Sequence, residues 1–179
     1  MAEIEYRPLE PSELGRVGEI DRSETIDAVY VQRGSRLELR RGKFSSPTWD
    51  PVGAGEHSVS AIREALVGWS EGGAAALGAF DGDRLVGIGL LLPHLRPGIA
   101  QLAFLYVSAG YRGRGVGGRI ADELERIARD GGDRSVVVSA TRSRNTVRFY
   151  RQRGFEPMGK PLPELYELEP EDVQMEKSL

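Results

Sequence analysis

Two spacings of apolar residues run along this 179-residue chain, and the switches between them mark out its elements. Alternation with a period of two signals a strand; recurrence at three and four residues signals a helix. Ile4–Arg7 reads as a short strand ended by Pro8, which has no amide to give a ladder. Leu14, Val17 and Ile20 then recur at helical spacing behind Ser12, which predicts a helix capped by that serine. Val29 and Val31, then Leu37 and Leu39, alternate with polar residues on either side of Gly34-Ser35, predicting a hairpin over residues 28–40. The prolines and glycines of Lys43–Gly55, with Trp49 among them, predict a mobile loop. Ser58 or Ser60 caps a second helix, which turns Ile62, Leu66 and Trp69 inward and stops at Gly72-Gly73.

From residue 75 the strand period takes over. Ala75–Phe80 and Leu85–Leu92 flank Asp81-Gly82-Asp83-Arg84, a hairpin turn, and Ile99–Val107 is a further strand. A glycine-rich turn then opens a helix from Gly115 to Arg129, with Val116, Ile120, Leu124 and Ile127 on one stripe. Asp122–Arg126 and Glu125–Arg129 are spaced as ion pairs on its wet side, and Gly131-Gly132 stops it. Val-rich Ser135–Ala140 reads as a strand buried on both faces. Asn145–Arg153 is a short helix ended by Gly154, and the rest gives two strands around a Pro161–Pro170 loop, the last being Val173–Ser178. The order is mixed α/β, and the length suits one domain, 1–179, able to bury about 70% of its unfolded surface.

Composition narrows the chemistry. With no cysteine, disulfides, a thiol nucleophile and thiolate-bound metal are excluded, and two distant histidines, His57 and His94, argue against a His-rich metal site. The longest apolar run, Leu85–Pro93, is far short of the ~20 residues a membrane span needs. Met1–Glu5 lacks the charged start and apolar stretch of an export signal, so the chain reads as cytoplasmic. The net charge of −3 hides a segregation: residues 111–153 carry 11 basic and 5 acidic side chains, whereas residues 154–179 carry 2 and 7. A basic block inside an acidic protein suits a small polyphosphate ligand better than nucleic acid, which the acidic remainder would repel.

That block begins at Val107-Ser108-Ala109-Gly110-Tyr111-Arg112-Gly113-Arg114-Gly115-Val116-Gly117-Gly118, where a strand runs into a glycine-rich turn and the turn opens a helix. Such a helix start presents unpaired amides and the positive end of the macrodipole, glycines allow an anion close approach, and Arg112, Arg114 and Arg119 add charge. A P-loop is excluded because its lysine is missing. Gly113, Gly115 and Gly118 fit the dinucleotide spacing, and Arg142 and Arg144 could mimic a phosphate site of NADP. Against that, five residues separate Val107 from Gly113, where the dinucleotide fold puts its first glycine at the strand end. A purely structural turn is the plain alternative.

Arg112-Gly113-Arg114-Gly115-Val116-Gly117 resembles the Arg/Gln-x-x-Gly-x-Gly/Ala signature of the GNAT superfamily of N-acetyltransferases, and Leu105-Tyr106-Val107 resembles that family's fourth strand. Asn145 through Phe155 resembles its Asn-x-x-Ala-x-x-Phe-Tyr-x-x-x-Gly-Phe helix, with Arg148 at the alanine position. The likeness covers about residues 75–157 well and the first 70 poorly. It implies a mixed, mostly antiparallel sheet of six to seven strands, flanked by helices, with the fourth and fifth strands splayed. It also implies acetyl-CoA as co-substrate, an amine of a small molecule or protein as acceptor, and no metal; the family often forms homodimers. Cofactor contacts are implied at Leu105, Tyr106, Val107, Arg112, Gly113, Arg114, Gly115, Val116, Gly117, Gly118 and Asn145, with helix capping as the plainer role for Asn145. Arg144, Arg148 or Arg151 would meet the 3′-phosphate. Tyr150 matches the tyrosine beside the sulfur, the expected acid for the leaving thiol, and packing is its plainer role.

The base is less plain. The family often carries a glutamate six residues before Val107, and here that residue is Gln101, an amide that cannot take a proton. A relayed water or a carboxylate from the amino-terminal region, Asp21, Glu24 or Asp27, would replace it, and Tyr30, Trp49 and Tyr166 would line the acceptor pocket. Residues 21–56 exceed the connector of minimal members and are expected to shape that pocket. Gln101 also keeps open a non-catalytic acyl-CoA-binding or sensor module on the same fold.

Overall fold

A computed structural model describes residues 3–179; of the amino-terminal segment read for an export signal, Met1 and Ala2 lie outside the described residues. Strands β1 (Glu5–Pro8), β2 (Glu24–Arg33), β3 (Arg36–Ser46), β4 (Ala75–Asp81), β5 (Arg84–Arg96), β6 (Ile99–Val107), β7 (Ser135–Ala140), β8 (Glu156–Pro157) and β9 (Val173–Ser178) alternate with helices α1 (Val59–Glu71), α2 (Val116–Asp130), α3 (Arg144–Gln152) and the single turn α4 (Pro163–Tyr166). Seven strands form one sheet in the order β1-β4-β5-β6-β7-β9-β8, and β2 and β3 form a separate hairpin. Every neighbouring pair in the large sheet is antiparallel except β6–β7. These two are parallel because α2 carries the chain back across one face between them. No helix among the described residues is long and apolar enough to cross a membrane.

Along β5, whose alternation slips by one residue at the bulge at Val86, Leu85, Ile88 and Leu90 go to one face, against Leu14, Val17, Ile20 and Leu66, while Val86 and Leu91 join the core beneath α2. Gly87 and Gly89 lie under α2: a Cβ on Gly89 would come within 2.5 Å of Ile120 Cγ2, so the missing side chains let the helix stripe of Val116, Ile120 and Leu124 settle directly on the strand. Ile127 completes that stripe only partly, because Ala121 and Ala128 are the buried residues beside it.

Where the structure departs from expectation, packing or turn chemistry is the cause. Residues 11–19 form a 3-10 helix, not an α-helix capped by Ser12; Pro11 opens it and the Glu13 carboxylate accepts the Glu10 amide at 3.1 Å. The hairpin is longer than predicted, with β3 running through Lys43 to Ser46, and Trp49 is core, 4% exposed, rather than part of a mobile loop. Of the predicted ion pairs on α2, neither forms. Arg126 binds Glu123 and Asp130, Asp122 turns to Arg153, and Glu125 is buried against Arg153 and Lys177.

Candidate active site

The parallel pair β6–β7 is joined only at Ile99–Ser135, Ala100–Val136 and Gln101–Val137. Beyond Gln101 the strands part. The cause lies on the other edge of β6: Leu91 opposes Leu102 but Leu90 opposes Phe104, so Ala103 is an extra residue that bends β6 away. Leu105, Tyr106 and Val107 pair with β5 through Gly89, Ile88 and Gly87, and their other edge faces the gap. Gln101 therefore stands at the apex of the split, and the described strands agree with the splay expected for the fourth and fifth strands.

The glycine-rich turn closes the wide end of this gap. Gly113 and Gly115 have φ of 73° and 82°, the left-handed region, and a Cβ on either would meet nothing within 4 Å. Gly115 is the N-cap of α2, and no side chain among the described residues caps it, whereas α1 and α3 are capped by Ser58 and Ser143. The first bond inside α2 is Arg119 N–H to Gly115 carbonyl, 3.0 Å, so the amides of Val116, Gly117 and Gly118 precede the helical ladder. Gly117 and Gly118 also serve packing: a Cβ would lie 3.3 Å from Val107 Cγ2 at the first and 3.4 Å from Arg153 Nη1 at the second.

The arginines are less free than their charge suggested. Arg112 donates to the carbonyls of Val107 (3.0 Å), Ser23 (2.8 Å) and Asp21 (3.3 Å), so its side chain staples the turn to the segment before β2. Arg114 lies 5.4 Å over the Tyr111 ring and Arg119 4.3 Å over Tyr6. Arg144 pairs with Asp27, and Arg148 and Arg151 are exposed. Asn145 is not the cap of α3, since Ser143 Oγ accepts the Thr146 amide at 3.2 Å; the Asn145 amide instead donates to Glu24 Oε1 at 2.9 Å.

Tyr150 is 5% exposed, set edge-on between Phe149 and Phe155 with ring centroids 5.1 and 5.3 Å away. Burial, with the neighbouring Tyr106, pushes its phenol well above the ordinary value. Tyr106 is raised too, chiefly by burial, and packs edge-on to Trp49 at 5.2 Å. Trp49 accordingly belongs to the wall behind Tyr106 and Phe104, not to an acceptor pocket.

The three carboxylates expected to act as base are engaged elsewhere. Asp21 Oδ1 accepts the Ser23 amide at 2.9 Å, and hydrogen bonds from Ser23 hold it below the usual range. Glu24 holds Asn145, and Asp27 holds Arg144. The sequence reading missed Asp172 and Glu169. Asp172 immediately precedes β9, opposite the carboxyl end of β7, and burial followed by the charge of Glu169 pushes it up to about 7. Desolvation raises Glu169 as well, although the residue as a whole keeps exposed surface. The signal was present in the seven acids of the last 26 residues, but nothing local said which of them turns inward.

Tyr30 and Tyr166 do share a cavity, about 410 Å³, with Gln32, Arg142, Asp172 and Gln174. A larger one, about 730 Å³, lies between α2 and the β1–β4 edge and is lined by Tyr6, Leu77, Arg119 and Ile127, away from the parted strands.

A strand that splits from its parallel neighbour, and an uncapped helix start at the mouth of the split, make a groove with an anion-binding end, the mark of a ligand-binding α/β fold. The family comparison makes this specific. Residues 44–155 match the model of the acetyltransferase (GNAT) family, and the chain belongs to that family. Solved structures agree across the whole chain: nourseothricin acetyltransferase (17% identity, TM-score 0.74, 98% of each chain covered) and PaiA N-acetyltransferase from Thermoplasma acidophilum in complex with coenzyme A (21%, 0.64, 99% of each). A protein provisionally named streptothricin acetyltransferase from Bacillus anthracis, in complex with acetyl coenzyme A, is similar at 16% identity and TM-score 0.67 over 99% of each chain. No protein of curated function matches the chain. The enzyme is thus a GNAT-type acyltransferase.

Proposed function

We propose that this chain, acting as one domain, moves an acetyl group from acetyl-CoA to a primary amine of a small molecule or protein by direct attack in a ternary complex. The observation that carries the reading is the uncapped start of α2 on the left-handed Gly113 and Gly115, open to the gap beside β6. Its free amides and dipole suit a diphosphate. The unpaired edge of Leu105–Val107 suits the amides of a pantetheine arm, which would lie there like a strand, with one amide toward the thioester oxygen. Asn145 borders that arm. Two of the solved relatives hold coenzyme A or acetyl coenzyme A, which supports the same donor.

Tyr150 is assigned to the leaving sulfur. Its raised phenol keeps its proton throughout the neutral range, so it donates a hydrogen bond to the thiolate as charge builds on sulfur. The β2–β3 hairpin and the segments flanking it, residues 21–56, form one side of the acceptor region, because Tyr30 N–H reaches the Arg142 carbonyl at 2.8 Å at the end of β7. Thiol release from acetyl-CoA against a panel of primary amines tests the proposal. Turnover with at least one of them is expected. Tight acetyl-CoA binding with no turnover on any amine would instead identify a sensor module, the reading that Gln101 favours.

A further inference from the structure

We propose that Asp172 is the proton acceptor for the attacking amine, and that the 410 Å³ cavity it lines seats a cationic primary amine. The inference rests on the acetyltransfer reading above and deepens it. The first support is position. The last β7–β9 pair is Ala140–Val173, so Asp172 sits one residue past the ladder, at the carboxyl end of β7 where β6 has already parted from it. Its charge is felt by the phenols of both Tyr106 and Tyr150. Asp172 and the parted stretch of β6 thus lie at the same end of β7.

A second, independent support is Gln174. It is 1% exposed, lines the same cavity, and its Oε1 is buried with no hydrogen-bond partner. Its Nε2 donates to Ser139 Oγ at 2.7 Å and to the Glu169 carbonyl at 3.4 Å; the carbonyl, which only accepts, is the contact that orients the amide. A wall with an unsatisfied acceptor and a desolvated carboxylate calls for a ligand rich in donors. Tyr30 and Tyr166 add two aromatic rings to that wall, which also favour a cation.

The electrostatics fit a base. Burial raises Asp172 most, Glu169 and Glu171 add to it, and Arg142 opposes them. Tyr106 and Tyr150, within range of its charge, are phenols raised by burial, Glu169 is itself raised, and Arg142 is shared with Glu171 at 3.3 Å. An alkylammonium titrates near ~10, so a carboxylate near neutrality accepts its proton with about three pK units less opposition than an ordinary one. In the step, the ammonium gives one proton to Asp172 and the neutral nitrogen attacks the thioester carbonyl. The C–N bond forms and the C–S bond breaks. The second nitrogen proton ends on the thiolate that Tyr150 hydrogen-bonds, and Asp172 returns its proton to solvent.

The test is the pH profile of kcat/KM for the full chain with acetyl-CoA and the best amine of the panel. The wild type should show an acid limb near neutrality. Asp172→Asn should lower kcat about 10²-fold and abolish that limb while leaving acetyl-CoA affinity unchanged. Glu171→Gln should move the limb to lower pH and Arg142→Gln to higher pH, opposite shifts that remain readable if Asp172→Asn fails to fold. Retained kcat and limb in Asp172→Asn, or a limb that ignores both neighbours, overturns the assignment and leaves acetyltransfer standing. A wild type that binds acetyl-CoA but acetylates no amine removes acetyltransfer and the role of Asp172 together.

Discussion

Glu125→Gln is a sharp test of how this molecule is held together, because it removes a charge and almost no volume. The Glu125 side chain is 6% exposed and touches two cations, Arg153 at 3.3 Å from the end of α3 and Lys177 from β9, themselves 15% and 23% exposed. Breaking a buried pair from one side costs about 3–5 kcal/mol, because the remaining charge is left desolvated. Here Arg153 keeps Asp122 on its solvent side and Lys177 can turn outward, so a loss of about 2–4 kcal/mol is expected. At roughly 2–4 °C per kcal/mol for a chain of this size, thermal unfolding should shift down by roughly 5–15 °C. Urea unfolding monitored by far-UV circular dichroism would give the free energy directly. Asp122→Asn is the comparison: its side chain is 71% exposed, and about 1 kcal/mol or less is expected. Equal losses for the two variants would refute the reasoning. The network also ties α2 to the end of α3, through Arg153, so acetyl-CoA affinity should fall modestly in Glu125→Gln and not in Asp122→Asn.

Gly115→Ala should fold, since a Cβ there meets nothing within 4 Å, but with about 1–2 kcal/mol of left-handed strain; calorimetric titration should show acetyl-CoA binding weakened beyond that loss. Wild-type affinity in that variant would dismiss the turn as the diphosphate cradle. Tyr150→Phe keeps the ring between Phe149 and Phe155 and loses only the hydroxyl, so kcat should fall about 10²-fold with unchanged acetyl-CoA binding; full kcat would end its assignment to the sulfur. Asp172→Asn should alter stability in a pH-dependent way that has nothing to do with turnover. A carboxyl raised to about 7 in the folded state binds its proton more tightly than when unfolded, so the wild type loses stability as pH rises from about 4 to 7. The neutral amide escapes this, so its unfolding temperature should gain on the wild type across that window and not below it. Parallel stability profiles would contradict the desolvation of Asp172.

What the sequence discloses here depends on how local the cause is. Ile99–Val107 and Ser135–Ala140 are legible to the residue because each is a largely apolar run between turn signals, and Val173–Ser178 because Val173 and Met175 alternate with polar residues just past Pro170. The motifs of the turn and of α3 are legible because their residues are contiguous. By contrast, the far half of β3 hides: residues 41–46 lie beyond the predicted hairpin, are almost wholly exposed, and are strand only because β2 pairs with them, from Glu24–Ser46 to Ala28–Arg41. Glu125 looks like one half of a surface pair until α3 and β9 arrive beside it. The amino-terminal carboxylates that the sequence offers as bases, Asp21, Glu24 and Asp27, are consumed by Ser23, Asn145 and Arg144. Asp172 is brought to the site by an antiparallel pairing between β7 and β9, a contact between distant segments that no spacing rule encodes.

Three residue pairs hold the two halves of the large sheet together across its middle. Mechanically, these are two stiff plates hinged at one corner, and a chain of amides lying in the opening would act as a splint, bonded to both. Rigidity would then become a property of the loaded protein, and amide hydrogen exchange over residues 102–107 should slow when the splint is in place.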